Sequence, residues 1–204
     1  MLDIYQGMNH DLYQTILGLD ISTTTIGISI INKCFQTGKI TLDVCKYYKP
    51  PKDGSIFERL IQVKQFILNL LERYDPDVVV IEDYARFMAG SSGAATIIPL
   101  AIFNTTIGLT VFENTGNEPI LMNVNTIRKW LKTGEERLKK EDIPEAVAYH
   151  LKIDFPYEIT KKGKIAVESY DKADSAAVAL AYLKSIEPKI VKPKKSRAKK
   201  VMEL

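Results

Sequence analysis

Residues 15–21 and 26–32 are two runs dominated by β-branched and aliphatic side chains, separated only by Ser22, Thr23, Thr24 and Thr25. The pattern predicts two strands joined by a tight turn. Residues 39–48, KITLDVCKYY, alternate well enough for a third strand after Gly38, so the chain opens on an antiparallel meander. Beyond PPKDGS, the positions Ile56, Leu60, Val63, Phe66, Ile67, Leu70 and Leu71 recur at helical spacing up to Tyr74 and predict an amphipathic helix. The uniform apolar run of residues 78–81 has the character of a strand buried on both faces. With a helix between them, it should lie parallel to the first strand by a right-handed crossover.

From Phe87 to Phe112 there is no charged residue, a stretch long enough to be weighed as a membrane span. Pro99, Asn104, Thr105, Thr106 and Gly108 interrupt it, so a helix buried under the sheet is expected instead, with no membrane. Residues 118–124 predict a fifth strand. Short helices are expected over 126–131 and 142–151, and a last one over about 172–185, with Ala173, Ala176, Ala177, Leu180, Ala181 and Leu183 as its packing side. The order describes an α/β domain: a mixed five-stranded sheet, three strands antiparallel and two parallel, with helices on both faces.

The composition adds bounds. A length of 204 residues fits one domain, here 15–186, with an extension at 1–14 and a tail at 187–204. The net charge of +3 is uneven: the tail holds seven basic residues against two acidic, which is +5 and leaves −2 on the rest. Such a block is expected to be solvated and disordered, and suits a polyanion partner. Cys34 and Cys45 are too few for a disulfide framework or a zinc site, and the first fifteen residues do not resemble a signal peptide. The expectation is the cytoplasm or another reducing, DNA-containing compartment.

One residue does not belong in its run. Asp20 sits within ILGLDISTTTIGISII, residues 16–31, where an unpaired charge would be costly. Either the hydroxyls and amides of the following turn satisfy it, as in an Asx-type motif, or it shares a cation with other carboxylates. Glu82 ends the buried parallel strand, with Asp83 beside it as a competitor, and Asp171 and Asp174 begin the final helix at i, i+3 spacing, on one face. Each also has a plain reading, as a strand-end charge or a helix cap. If the first and buried strands are neighbours, the four carboxylates meet at one rim, and hard divalent cations such as Mg²⁺ or Mn²⁺ relieve the repulsion.

At these residues the chain resembles a known group. ILGLDISTTTIGISII, PDVVVIED and DKADSAAVALAY are similar to three motifs of RuvC-like Holliday junction resolvases, within the ribonuclease H-like superfamily; the similarity covers residues 16–184. The resemblance implies Asp20, Glu82, Asp171 and Asp174 as the catalytic and metal-holding acids, with two Mg²⁺ per site and Mn²⁺ as a substitute. It also implies hydrolysis of DNA at a four-way junction by paired symmetric nicks, a homodimer, and no nucleotide cofactor. FMAGSSGA, residues 87–94, resembles the loop that contacts the branch point. The expected DNA contacts are Tyr84, Arg86, Phe87, Ser91 and Ser92, with Lys129, Lys132, Lys139 and Lys140. Two departures are an insertion of two residues between Glu82 and Phe87 and the basic tail. Rival readings are a nuclease of the same superfamily acting on flaps or hybrids, a non-catalytic junction binder, and an actin-like ATPase. The last shares the strand, Asp and hydroxyl-rich turn but needs a second domain.

Overall fold

The computed structural model describes residues 12–83 and 93–187. The expected contacts at Tyr84, Arg86, Phe87, Ser91 and Ser92, and the basic tail after Glu187, lie outside the described residues.

The meander is β1 (Tyr13–Ile21), β2 (Ile26–Cys34) and β3 (Ile40–Tyr48). β1 starts two residues before the expected strand, because its pairing with β2 runs on to Tyr13 opposite Cys34. The turn between them is organised by Ser22: its Oγ accepts from the Thr25 amide at 2.9 Å and donates to the Thr25 carbonyl at 2.8 Å. Helix α1 (Ile56–Tyr74) follows and begins at a reciprocal cap, in which the Glu58 amide donates to Ser55 Oγ at 3.3 Å and the Ser55 amide to Glu58 Oε2 at 2.7 Å. It ends where Asp75 turns left-handed, at φ 41°. Strand β4 (Val78–Asp83) then enters parallel to β1, its start fixed by a two-way link: the Thr15 amide donates to Asp77 Oδ2 at 2.7 Å and the Asp77 amide to the Thr15 carbonyl at 2.9 Å.

Helix α2 (Gly93–Thr115), β5 (Ile120–Asn123), α3 (Val124–Leu131), a 3-10 turn at Lys140–Asp142, α4 (Ile143–Leu151) and α5 (Val167–Ile186) complete the chain. The sheet order is β3-β2-β1-β4-β5, with β5 parallel to β4. This is the expected mixed sheet of three antiparallel and two parallel strands. Side chains alternate across it. Ile16 and Val80 face α3, α4 and α5, whereas Leu17, Leu19, Val79 and Ile81 face α1 and α2. Ile16, Leu17, Leu19 and Ile81 are wholly buried, each stabilising the fold by roughly 1.5–3 kcal/mol.

Two helices depart from expectation. α2 is not simply a buried helix: Phe103, Asn104, Ile107, Thr110 and Val111 face inward, while Ile98, Ile102, Leu109 and Phe112 are exposed. In length and composition alone it could cross a membrane. Its polar residues are satisfied within the helix, Thr110 Oγ1 donating to the Thr106 carbonyl at 2.7 Å and Asn104 Nδ2 to the Leu100 carbonyl at 3.2 Å. α5 begins at Val167, five residues before the expected start. Its cap residue Ala166 supplies no side-chain hydrogen bond, so Asp171 and Asp174 lie beyond the first turn and do not cap the helix.

Candidate active site

The carboxylates are placed by the pleat and by one close helix-on-sheet contact. Leu19 pairs with Ile81 across the parallel β1–β4 ladder, so Asp20 and Glu82 follow in register at the same edge. Both belong to the alternation that faces α5, along with Ile16 and Val80. Asp83, one residue on, belongs to the opposite face, so it is Glu82 that shares a face with Asp20.

α5 reaches this edge because two strand positions lack side chains. A Cβ at Gly27 would stand 2.0 Å from the Asp171 carbonyl oxygen, and one at Gly18 2.3 Å from that of Ser175. The helix backbone therefore rests on the strands, tied by Ser29 Oγ donating to the Ser175 carbonyl at 2.9 Å, both serines fully buried. Gly27 is the β2 partner of Asp20, so the contact at Gly27 sets the helical acids beside the strand acids.

The electrostatics report the same convergence. Burial, followed by the charges of Asp174, Glu82 and Asp171, pushes the Asp20 carboxyl well above its ordinary range, against the opposing pull of Lys140. Glu82 is raised to about 7 by burial and Asp174, with Lys140 and Arg128 opposing. Burial raises Asp174 to about 6 and also lifts Asp171. Among the described residues the cation in contact with the acids is Lys140, whose Nζ lies 3.5 Å from Asp174 Oδ2. Partial burial disfavours its ammonium form, but Asp174, Asp20 and Asp171 outweigh that and hold its pKa above the ordinary value. The turn reading of Asp20 does not hold: Ser22 takes the turn amides, and among the described residues Asp20 accepts none of those bonds.

Among the described residues no three acidic, imidazole or thiol side chains already stand as a metal cage. The fit to a metal rests on donor chemistry: four crowded carboxylates of raised pKa, all oxygen, which suit a hard divalent cation.

The predicted basic positions divide. Lys140 lies among the acids, whereas Lys129, Lys132 and Lys139 are exposed nearby on α3 and the segment after it. Lys129 and Lys132 line a cleft of about 430 Å³ together with Asn125, Arg128, Arg137 and Leu138. Arg128 and Arg137 are additions that sequence reasoning missed. Arg128 is the more informative, since its charge reaches both Glu82 and Asp174 and its buried Nε has no hydrogen-bond partner among the described residues. The signal was available in the i, i+3, i+4, i+7 spacing of Asn125, Arg128, Lys129 and Lys132 along α3.

The sheet order, with helices on both faces, is a ribonuclease H-like fold, shared with solved Holliday junction resolvases. RuvC of Thermus thermophilus in complex with Holliday junction substrate superposes with a TM-score of 0.63 at 17% identity, over 84% of this chain and 93% of that one. The yeast mitochondrial Holliday junction resolvase Ydc2 gives 0.61 at 14% identity, over 84% and 78%. The fowlpox virus resolvase with its substrate Holliday junction DNA gives 0.52 at 18%, over 84% and 99%. No family model and no curated protein matches the chain by sequence.

Proposed function

We propose that this chain is a metal-dependent, structure-selective endonuclease that resolves four-way DNA junctions by paired symmetric nicks. The observation that carries the reading is the meeting of Asp20, Glu82, Asp171 and Asp174 at one sheet edge, with raised pKa values, on a fold shared with junction resolvases. Four converging negative charges serve no purpose in a protein that only binds a polyanion.

In this proposal the four carboxylates hold two Mg²⁺ ions, for which Mn²⁺ substitutes. Bound there, the metal would supply Lewis-acid stabilisation of the scissile phosphate and activation of the attacking water. The protein's own groups do the rest. Glu82, raised to about 7, and Asp174, raised to about 6, are partly protonated near neutrality until a cation arrives, so ionisation and loading are linked. Lys140 and Arg128 partly neutralise the cluster as the phosphodiester enters. Lys129, Lys132 and Lys139 run along the DNA backbone beside it. Tyr84, Arg86, Phe87, Ser91 and Ser92 form the branch-point contact, and the tail adds affinity without selectivity.

Each chain carries one acid set, and a junction needs two cuts, so the working form is a homodimer. The outer side of α2 supports this, because Ile98, Ile102, Leu109 and Phe112 are exposed and, with Thr105, recur at alternating spacings of four and three. Free thiols at Cys34 and Cys45 suit the reducing, DNA-containing compartment that the proposal includes.

The test is cleavage of four-way junction, flap and RNA–DNA hybrid substrates of matched sequence, with Mg²⁺ and with EDTA. Symmetric, Mg²⁺-dependent nicks in the junction are expected, lost in Asp20→Asn and Asp174→Asn while junction binding persists. Preferential cutting of hybrid or flap, or either variant cutting at the wild-type rate, would overturn the assignment. Sedimentation with Phe112→Lys tests the dimer: the variant should sediment as a monomer, and an unchanged dimer would remove α2 from the contact.

A further inference from the structure

Residues 157–166, YEITKKGKIA, form a short arm immediately before α5. Ile159 bridges Ile165, the Thr160 amide donates to the Lys164 carbonyl at 2.7 Å, and the Gly163 amide donates back to the Thr160 carbonyl at 2.9 Å. Gly163 closes the turn at φ 74°. The tip presents Lys161, Lys162 and Lys164, all exposed, and among the described residues no ion pair engages any of them.

The base of this arm is fastened to the helix that carries two of the acids. Lys172 lies between Asp171 and Asp174 in sequence yet turns away from them, and only 5% of it is exposed. Its Nζ donates to the Pro156 carbonyl at 3.1 Å and to Glu158 Oε1 at 2.9 Å. The Glu158 amide donates to Ser169 Oγ at 2.9 Å, and the Ala166 amide to the Glu158 carbonyl at 2.8 Å. A buried ammonium is tolerated only when its partners stay in place, so Lys172 holds the arm at a fixed angle to α5. Glu158 is the only acid of the arm, and Lys172 neutralises it. The tip therefore projects three positive charges within four residues.

The reach follows from the geometry. Five helical residues separate Ala166 from Asp171, roughly 7 Å at a 1.5 Å rise, and four extended residues carry the tip about 13 Å outward. The tip thus stands within about 20 Å of the acids, some five or six steps of duplex at 3.4 Å each.

We propose that this lysine-tipped hairpin is a backbone clamp, gripping the phosphates of a duplex arm within about half a helical turn of the bond to be cut. The inference rests on the nuclease reading and adds to it a substrate contact registered to the acids by Lys172. Phosphate contacts of this kind position a duplex without reading its sequence.

The experiment measures binding of a four-way junction by the full chain across a salt series, wild type against K161Q/K162Q/K164Q, with thermal unfolding as a check. The three side chains are exposed, so folding should be unchanged. The slope of log affinity against log salt should fall by about 2 to 3, with at least about tenfold weaker binding at 0.1 M salt. A wild type that cuts junctions, paired with a variant of unchanged slope and affinity, would overturn the clamp and point the arm to another partner. A wild type that neither binds nor cuts any DNA would instead overturn the nuclease reading beneath it.

Discussion

Glu82→Gln should make the metal-free protein more stable, with a gain that grows as pH rises. In the folded chain burial and Asp174 lift Glu82 from its ordinary 4.5 to about 7. A carboxyl with a raised folded pKa binds protons more readily folded than unfolded. Between about pH 4.5 and 7 stability therefore declines as pH rises, and above 7 the whole penalty is present. At about 1.4 kcal/mol per pH unit, the shift from 4.5 to about 7 corresponds to about 3 kcal/mol. Coupling to Asp20 and Asp174 means that one substitution relieves only part of this, so about 1–3 kcal/mol is expected. For a chain of this size that raises Tm by roughly 2–12 °C. The assay is thermal unfolding of both chains in EDTA at pH 4.5, 6 and 8. The Tm difference should be near zero at pH 4.5 and largest at pH 8, and Mg²⁺ at pH 8 should shrink or reverse it, because the wild type gains the ion and the variant binds it poorly. A variant less stable than wild type at pH 8 in EDTA, or a difference independent of pH, would refute the claim that these carboxylates crowd one another.

Gly27→Ala should be severely destabilising, by at least about 2–3 kcal/mol on the scale of forced core overpacking, because its Cβ would meet the Asp171 carbonyl at 2.0 Å; chemical denaturation measures it, and a loss below 0.5 kcal/mol, about the scatter of surface changes, would contradict the contact. Lys140→Met should cost up to about 1 kcal/mol in EDTA at pH 8, as befits a half-exposed ion pair. Saturating Mg²⁺ should narrow that loss, whereas an equal loss in both conditions would show that Lys140 does not neutralise the acids. Truncation after Glu187 should reduce the salt dependence of DNA binding but leave the preference for junction over duplex intact. An unchanged salt slope would assign the tail to something other than phosphates.

Much of the architecture was legible in the chain because local signals and tertiary demands agree there. The strand runs alternate or are uniformly apolar as their burial requires, and α1 carries both its apolar spacing and its Ser55–Glu58 cap. The start of α5 was not legible, since VESY offers no apolar period and Ala166 no capping side chain. The orientation of α2 was hidden for the opposite reason: a helix apolar all round does not say which side meets the sheet. Of the site, the four acids could be named as candidates, but that Glu82 rather than Asp83 shares a sheet face with Asp20 shows only in the register of β4 against β1. The central place of Lys140 among the acids depends on the path of the chain after α3, for which no periodicity exists to be read.

The seat of α5 on Gly18 and Gly27 makes the spacing of this centre a property of main chain touching main chain. Ordinary cores hold two elements apart by the girth of the side chains between them, so every exchange of Leu for Ile or Val changes the gap a little. Here nothing is interposed that could grow or shrink. The aliphatic residues around the contact are free to drift over long histories while Asp171 and Asp174 keep their distance from Asp20. The two glycines, and Ser29 whose Oγ donates to the main-chain carbonyl of Ser175, are the positions that hold this contact.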